Sequence, residues 1–179
     1  MTNDDRIPLL VLGLGNVLCG DDGAGIVVVH RLRREWQLPR DVRVVDGGTL
    51  GLDLLALVAA SDRVIIVDAV RDDAPAGTLV RLSGDEVAPA VYERLSPHQI
   101  GVADLIAGAA LVDQYPTDVV IVGVVPAMTD LQLGCTPVVT ASLGALLDKV
   151  LDEIAARGYE ATLRQDGFVQ HEGARALGL

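Results

Sequence analysis

Three aspartates and one histidine lie where predicted strands end or predicted helices begin. Asp22 lies in a glycine-rich loop, whereas Asp46 and Asp68 follow short apolar runs. His98 lies in a Ser-Pro-His-Gln segment. In an α/β sheet the carboxyl ends of parallel strands meet at one edge, where ligands bind. Two carboxylates and a neutral imidazole at that edge would form a divalent metal site with room for a substrate.

The glycine-rich loop at residues 13–23 also allows other interpretations. Gly13-Leu14-Gly15 resembles the start of a dinucleotide-binding fingerprint, but the third glycine position holds Leu18. Asp21 and Asp22 occupy the helix start that a phosphate would need, and their charge would repel it. A nucleotide-binding protein therefore stays a minor alternative, in which Asp46 would bind the ribose.

Helix capping is the commoner role of aspartate at a helix start, and it is the structural alternative for Asp21 and Asp22. The surrounding glycines weaken that alternative. Gly20, Gly23 and Gly25 flank the acids, and glycine in a first helical turn costs about 0.5–1 kcal/mol relative to alanine. A loop whose sole role was to start a helix would not need these three glycines.

His98 is predicted to lie in the first turn of a helix. Ser96 is the expected N-cap, Pro97 the first helical residue and Gln99 the capping-box partner. The positive end of the helix dipole favours the neutral imidazole of His98, which is the form that binds metal. A purely structural histidine is the alternative.

Asp68 and Asp46 each have a simpler interpretation as well. Asp68 could end its strand and turn to solvent, although a carboxylate at the carboxyl edge of a buried strand is more often a ligand or catalytic group. Asp46 could accept hydrogen bonds from the following Gly-Gly-Thr loop, or it could orient a substrate chain or a water.

The other reactive side chains are not expected to do chemistry. Cys19 and Cys135 have no histidine near them in the sequence and are interpreted as buried or half-buried small hydrophobes. His30 is expected on a helix surface and His171 in a tail. Without a Ser-His-acid or Cys-His arrangement, a covalent intermediate is disfavoured.

Strands alternate with helices along the chain, which predicts a three-layer α/β sandwich. Its sheet would be twisted and mostly parallel, with about five strands and with helices on both faces. Strands are predicted at 9–12, 42–45, 63–67, 78–82 and 119–125, and helices at 23–36, 52–60, 97–112 and 137–157. Strand 78–82 is expected to pair antiparallel with strand 63–67. One domain, 1–159, would precede a flexible tail, 160–179.

Composition narrows the partners and the compartment. The chain has 14 basic and 25 acidic residues, a net charge of −11, which disfavours nucleic acid and anionic membranes. No apolar run reaches the roughly 18 residues of a membrane span, and the polar N-terminus is unlike a signal peptide. Two cysteines are too few for a disulfide framework. We therefore expect a cytoplasmic protein that is monomeric when free.

Seven motifs of this chain, taken together and in order, resemble the hydrogenase maturation endopeptidase family. They are Gly13-Leu14-Gly15-Asn16-Val17-Leu18, Asp21-Asp22-Gly23-Ala24-Gly25, Asp46-Gly47-Gly48-Thr49, Val67-Asp68-Ala69, Ser96-Pro97-His98-Gln99, Val122-Gly123-Val124-Val125-Pro126 and Leu133-Gly134-Cys135-Thr136-Pro137. The resemblance implies a peptidase that removes a short C-terminal extension from the large-subunit precursor of a nickel–iron hydrogenase, after nickel has been inserted.

The resemblance also implies a set of site residues. The metal-contacting positions of the family match Asp22, Asp68 and His98, and Asp46 matches a further important acid. Nickel would be presented by the precursor, and zinc or cadmium could substitute in vitro. The metal could polarise the scissile carbonyl or activate a water. A non-enzymatic metal-sensing or assembly partner with the same fold is the second hypothesis.

Overall fold

The computed structural model describes residues 6–87 and 116–164, and its strands and helices alternate along the chain. The strands are β1 (Leu9–Leu14), β2 (Trp36–Gln37), β3 (Val42–Gly48), β4 (Arg63–Ala69), β5 (Leu79–Ser83), β6 (Asp118–Val124) and β7 (Thr162–Leu163). The α-helices are α1 (Ala24–Glu35), α2 (Leu55–Ala59) and α3 (Pro137–Ala156). Single 3₁₀ turns cover Gly20–Gly23, Gly51–Leu54 and Gly84–Glu86.

Five strands form one sheet in the order β3-β1-β4-β6-β5. The first four strands in that order are parallel, and β5 pairs antiparallel with β6. All six residues of β1 are buried, as are the last six residues of β4 and of β6. Continuous apolar runs are typical of parallel strands covered on both faces, and the predicted mostly parallel α/β fold is confirmed.

The two faces of the sheet carry separate apolar clusters. Alternate residues of β1 point to opposite sides, so that Leu9 and Val11 join one cluster and Leu10 and Leu12 the other. The first cluster packs against α1 and α3, and the second includes residues of α2. This arrangement gives the three predicted layers.

Helix α3 agrees with the helix predicted at 137–157. Thr136 is the N-cap and Pro137 the first helical residue. An apolar stripe on one face of this helix is buried at Val139, Leu143, Leu146, Leu147, Val150 and Ile154, with Leu151 half-buried. Gly158 ends the helix with φ of +85°, as expected for a C′ glycine.

The pairing of strand β5 corrects one prediction. The strand lies at the edge of the sheet, and its antiparallel direction is as expected, but its partner is β6 instead of β4. Because β4 is hydrogen-bonded to β1 on one side and β6 on the other, no edge of β4 is free for a hairpin. Loop length alone did not reveal that the later strand β6 fills this place.

The segment after Glu160 also differs from the expected tail. Thr162 and Leu163 form strand β7, which pairs antiparallel with Trp36 and Gln37 of β2. The tail prediction is therefore wrong for these first residues, since a two-residue strand gives no periodicity to detect. Residues 165–179, with His171, lie outside the described residues, as does the predicted helix 97–112. No helix among the described residues has the length and apolar character to cross a membrane.

Candidate functional site

The carboxyl ends of β1, β3, β4 and β6 share one edge of the sheet because these strands are parallel. Asp22 lies in the loop after β1, and Asp46 and Asp68 lie near the ends of β3 and β4. The structure therefore places three predicted site residues at the predicted edge. The fourth, His98, lies outside the described residues.

Asp22 is held inside the loop that precedes α1. It is only 7% exposed, and its Oδ2 accepts a hydrogen bond from the backbone N–H of Asn16 at 2.8 Å. The loop closes tightly here. Gly15 has φ of +120°, and a Cβ at this position would lie 1.8 Å from the Asp22 carbonyl oxygen. This glycine is thus required by the backbone that positions Asp22.

Asp68 is the penultimate residue of the central strand β4 and is 1% exposed. Its Oδ1 accepts a hydrogen bond from the N–H of Ala69 at 2.8 Å. Helix α1 approaches this strand end very closely, since a Cβ at Gly25 would lie 2.1 Å from the Val67 carbonyl oxygen. The turn that carries Asp22 is thereby brought against the strand that carries Asp68. The strand-terminator alternative, with Asp68 turned to solvent, is wrong.

Asp46 has two partners on different elements. Its Oδ1 accepts a hydrogen bond from the N–H of Gly48 at 3.0 Å, as one of its two predicted roles required. Its Oδ2 lies 2.6 Å from Nε2 of His30 on α1. His30 is on the helix surface, as expected, but sequence reasoning missed this contact. The two residues are 16 positions apart, and only the packing of α1 over β3 joins them.

Gly48 links Asp46 to the loop of Asp22. The Gly48 carbonyl accepts a hydrogen bond from the N–H of Gly15 at 3.1 Å, and the next residue, Asn16, donates to Asp22. A continuous series of polar contacts therefore runs from His30 to Asp22. Asp46 stands in it as a residue that positions the loop.

Asp21 is a structural residue, and helix capping was the structural role predicted for it. It is fully buried, and its carboxylate accepts hydrogen bonds from the N–H groups of Ala127, Met128 and Thr136 at 2.8, 3.1 and 2.6 Å. The Thr136 hydroxyl donates a fourth at 2.9 Å. Asp21 thus joins the loop after β1 to the loop before α3, and the capping interpretation is wrong for it. Its place beside Asp22 gave no local signal of this role.

Cys135 is not set up as a nucleophile. Cys19 and Cys135 are both free and half-buried, as expected. Burial, and secondarily the Asp21 carboxylate, raises the pKa of the Cys135 thiol. A raised pKa disfavours the thiolate, which is the reactive form.

The predicted ligand set is only partly within the described residues. Within 6–87 and 116–164, no three His, Cys, Asp or Glu side chains are grouped to hold a metal ion. Two buried carboxylates at one sheet edge nevertheless supply hard oxygen donors. With an imidazole added, the set would suit a borderline divalent ion such as nickel or zinc and leave coordination positions open.

Comparisons with known proteins give a consistent result. The sequence model of the family described as hydrogenase maturation protease matches residues 26–153. The Hydrogenase 2 maturation protease of Escherichia coli (strain K12) is 36% identical over 159 residues, which are 88% of this chain and 96% of the relative. The hydrogenase expression/formation protein HupD of Thiocapsa roseopersicina is 33% identical, over 94% of this chain and 76% of the relative.

Solved structures agree with the sequence comparisons. The hydrogenase maturating endopeptidase HybD from E. coli superposes with a TM-score of 0.84 at 36% identity, over 89% of this chain and 99% of that one. The [NiFe] hydrogenase maturation protease HybD from Thermococcus kodakarensis has a TM-score of 0.65 at 25% identity, over 83% of this chain and 99% of that one. These proteins are proteases, which supports the enzymatic hypothesis over the non-enzymatic one. The chain belongs to the hydrogenase maturation protease family and is an endopeptidase.

Proposed function

We propose that this endopeptidase removes the C-terminal extension of a nickel-loaded large-subunit precursor of a nickel–iron hydrogenase. Asp22, Asp68 and His98 would contact the nickel that the precursor carries. The observation that supports this most directly is the burial of Asp22 and Asp68 at the same sheet edge. This edge is where a ligand of an α/β sheet is expected.

Burial of two carboxylates is costly unless cations or hydrogen bonds compensate for the lost hydration. Asp22 and Asp68 each accept a backbone hydrogen bond, and a divalent cation at this edge would add strong compensation. The precursor's nickel would supply that charge only when the precursor is loaded. Specificity for the loaded precursor would follow from this difference.

The cation would also place the scissile peptide. It could polarise the carbonyl or lower the pKa of a bound water, and both effects speed hydrolysis. Asp46 and His30 would act indirectly, because their contacts lead through Gly48 and Gly15 to the loop of Asp22. Zinc or cadmium would substitute for nickel in vitro, since both accept oxygen and imidazole ligands.

Incubation of the full chain with nickel-loaded precursor tests the proposal, with intact mass spectrometry of the precursor as the readout. Wild type should remove a C-terminal peptide from the loaded precursor and leave the nickel-free precursor uncut. Asp68→Asn should lower kcat/KM by about a hundredfold or more. Asp148→Asn, which alters an exposed acid on α3, should cleave like wild type.

Metal binding gives a second readout that does not depend on cleavage. Nickel, zinc or cadmium should raise the melting temperature of wild type and of Asp148→Asn, but not that of Asp22→Asn or Asp68→Asn. An intact loaded precursor after incubation with wild type contradicts the proposal. So does equal cleavage by wild type and Asp68→Asn.

A further inference from the structure

The exposed apolar side chains of this chain are concentrated at one place. Eight large hydrophobic residues are exposed in the described part of the chain, and six of them lie in the loops at the carboxyl edge of the sheet. We call these six the apolar rim: Val17, Leu18, Leu50, Leu52, Leu131 and Leu133. Single exposed leucines are ordinary on protein surfaces, whereas a grouped set marks an interaction site.

Backbone hydrogen bonds join the three loops that carry the apolar rim. The N–H of Gln132 donates to the carbonyl of Leu18 at 2.9 Å, and the Gln132 carbonyl accepts from Gly20 at 2.8 Å. On the other side, the N–H of Gly15 donates to the carbonyl of Gly48 at 3.1 Å. The loops of Leu50, Leu18 and Leu131 are therefore adjacent, and the apolar rim is continuous with the edge that holds Asp22 and Asp68.

Leu131 and Leu133 are the most exposed members, at 87% and 80%. They flank Gln132, whose N–H and carbonyl are both engaged, and Asp21 fixes the neighbouring loop backbone at Met128 and Thr136. An ordered backbone therefore keeps the side chains of these two leucines exposed to solvent. Such preorganisation lowers the entropic cost of binding a partner.

The charge of the loops indicates the chemistry of that partner. Residues 15–23, 48–54 and 126–136 contain four aspartates and no lysine, arginine or histidine. Asp53 and Asp130 are exposed beside the leucines. A second copy of this chain would bring acid against acid, which disfavours self-association. An apolar segment flanked by basic residues would complement both the exposed leucines and the acidic charge of these loops.

We propose that the apolar rim is the docking surface for the hydrogenase large-subunit precursor, and that it binds an apolar segment of the precursor flanked by basic residues. This inference rests on the proposed function, because it takes the same precursor as the partner. It adds the contacts by which the protein part of the substrate is held beside the acids. Binding through the rim would be separate from contact with the metal.

The decisive experiment measures the affinity of the full chain for nickel-loaded precursor by biolayer interferometry, and the kinetics of its cleavage. The test variant is Leu131→Gln/Leu133→Gln, and the control is Leu163→Gln. Leu163 is also exposed, but it lies on β7 beside Trp36, at the far end of α1. Both variants should melt at the wild-type temperature, since exposed side chains contribute little to stability.

The rim variant should bind the precursor about tenfold or more weakly and raise KM by a similar factor, with kcat retained. Leu163→Gln should match wild type in affinity and KM, and high salt should weaken wild-type binding.

Unchanged affinity and KM in the rim variant would overturn the inference. A dimer of this chain that the rim substitutions disrupt, seen by analytical ultracentrifugation, would overturn it too. If wild type binds the precursor through the rim without cutting it, the proposed function fails and the docking surface stands.

Discussion

Nε2 of His30 lies 2.6 Å from Oδ2 of Asp46, which joins the middle of helix α1 to the end of strand β3. The other oxygen of Asp46 accepts from Gly48, and Gly48 is bonded to the loop that holds Asp22. Four hydrogen bonds thus separate His30 from the predicted ligand Asp22, which gives His30 the place of a positioning residue.

The His30 contact leads to a prediction about coupled activity loss. His30→Ala should lower kcat about threefold to tenfold, because Asp46 then loses one of its two anchors. Asp46→Ala should lower kcat further, and the kcat of the double variant should be no lower than that of Asp46→Ala alone. Steady-state kinetics on the loaded precursor measure this cycle. Multiplying losses would show that the two residues act separately.

Stability provides the control for the same pair. Both side chains are partly exposed, and even a fully charged pair at an exposed position contributes only about 0–1 kcal/mol. Urea unfolding of His30→Ala should therefore stay within about 1 kcal/mol of wild type. A larger loss of stability would show that His30 supports the fold and does not act mainly on the site.

Removal of the Asp21 carboxylate should destabilise the fold strongly. Asp21→Ala leaves three part-buried backbone N–H groups without their acceptor, and a donor left unsatisfied costs up to about 1–3 kcal/mol where it is buried. We expect a loss of about 3 kcal/mol or more in the free energy of unfolding, measured by urea denaturation. Asp130→Ala, an exposed acid in the same loop, should change it by less than about 0.5 kcal/mol.

Two glycine substitutions should have opposite effects. Gly25→Ala would push a methyl group into the Val67 carbonyl, 2.1 Å away, and into that of Leu14, 2.6 Å away. Helix α1 would have to shift, at a cost of about 1–3 kcal/mol or more, and it would carry Asp22 with it. Gly144→Ala lies on an open, exposed face of α3 and should stabilise the chain by about 0.5–1 kcal/mol. Thermal unfolding and cleavage assays compare the two.

Glu153 should make part of the stability depend on pH. It is nearly buried, and its carboxylate bonds Arg81 at 2.6 Å and Arg157 at 2.7 Å. The hydrogen bond from Arg81, and then that from Arg157, holds the pKa of Glu153 below its ordinary value. The unfolded state therefore binds the proton more tightly than the folded state.

The sign of this effect follows from the lowered pKa. The contribution of Glu153 should be complete above about pH 4.5, and it should be lost as the pH falls through the folded-state pKa. Glu153→Gln should lower stability at pH 7 and flatten the decline in acid. Urea unfolding across pH 3–7 measures both, and a variant whose acid profile equals that of wild type would contradict the assignment.

Much of the fold followed from local patterns. The apolar runs of β1, β4 and β6 require burial on both faces, which only a covered parallel sheet provides. Thr136, Pro137 and Gly158 marked the ends of α3 because capping depends on neighbouring residues alone. Asp22, Asp46 and Asp68 reached one edge because strand direction, once established, fixes where strands end.

Other features depended on contacts between distant residues, and no local pattern encodes these. Asp21 and Asp22 are adjacent and chemically identical, yet Asp21 holds the loop before α3 and Asp22 accepts a hydrogen bond within its own loop at the site edge. His30 contacts Asp46 only because α1 packs over β3. Strand β5 pairs with β6 because β4 is already paired on both sides. The sequence by itself determined the five strands of the main sheet, the helices α1, α2 and α3 and the shared edge. Tertiary structure alone decided which acid supports the fold, because burial and hydrogen-bond partners exist only once the loops have met.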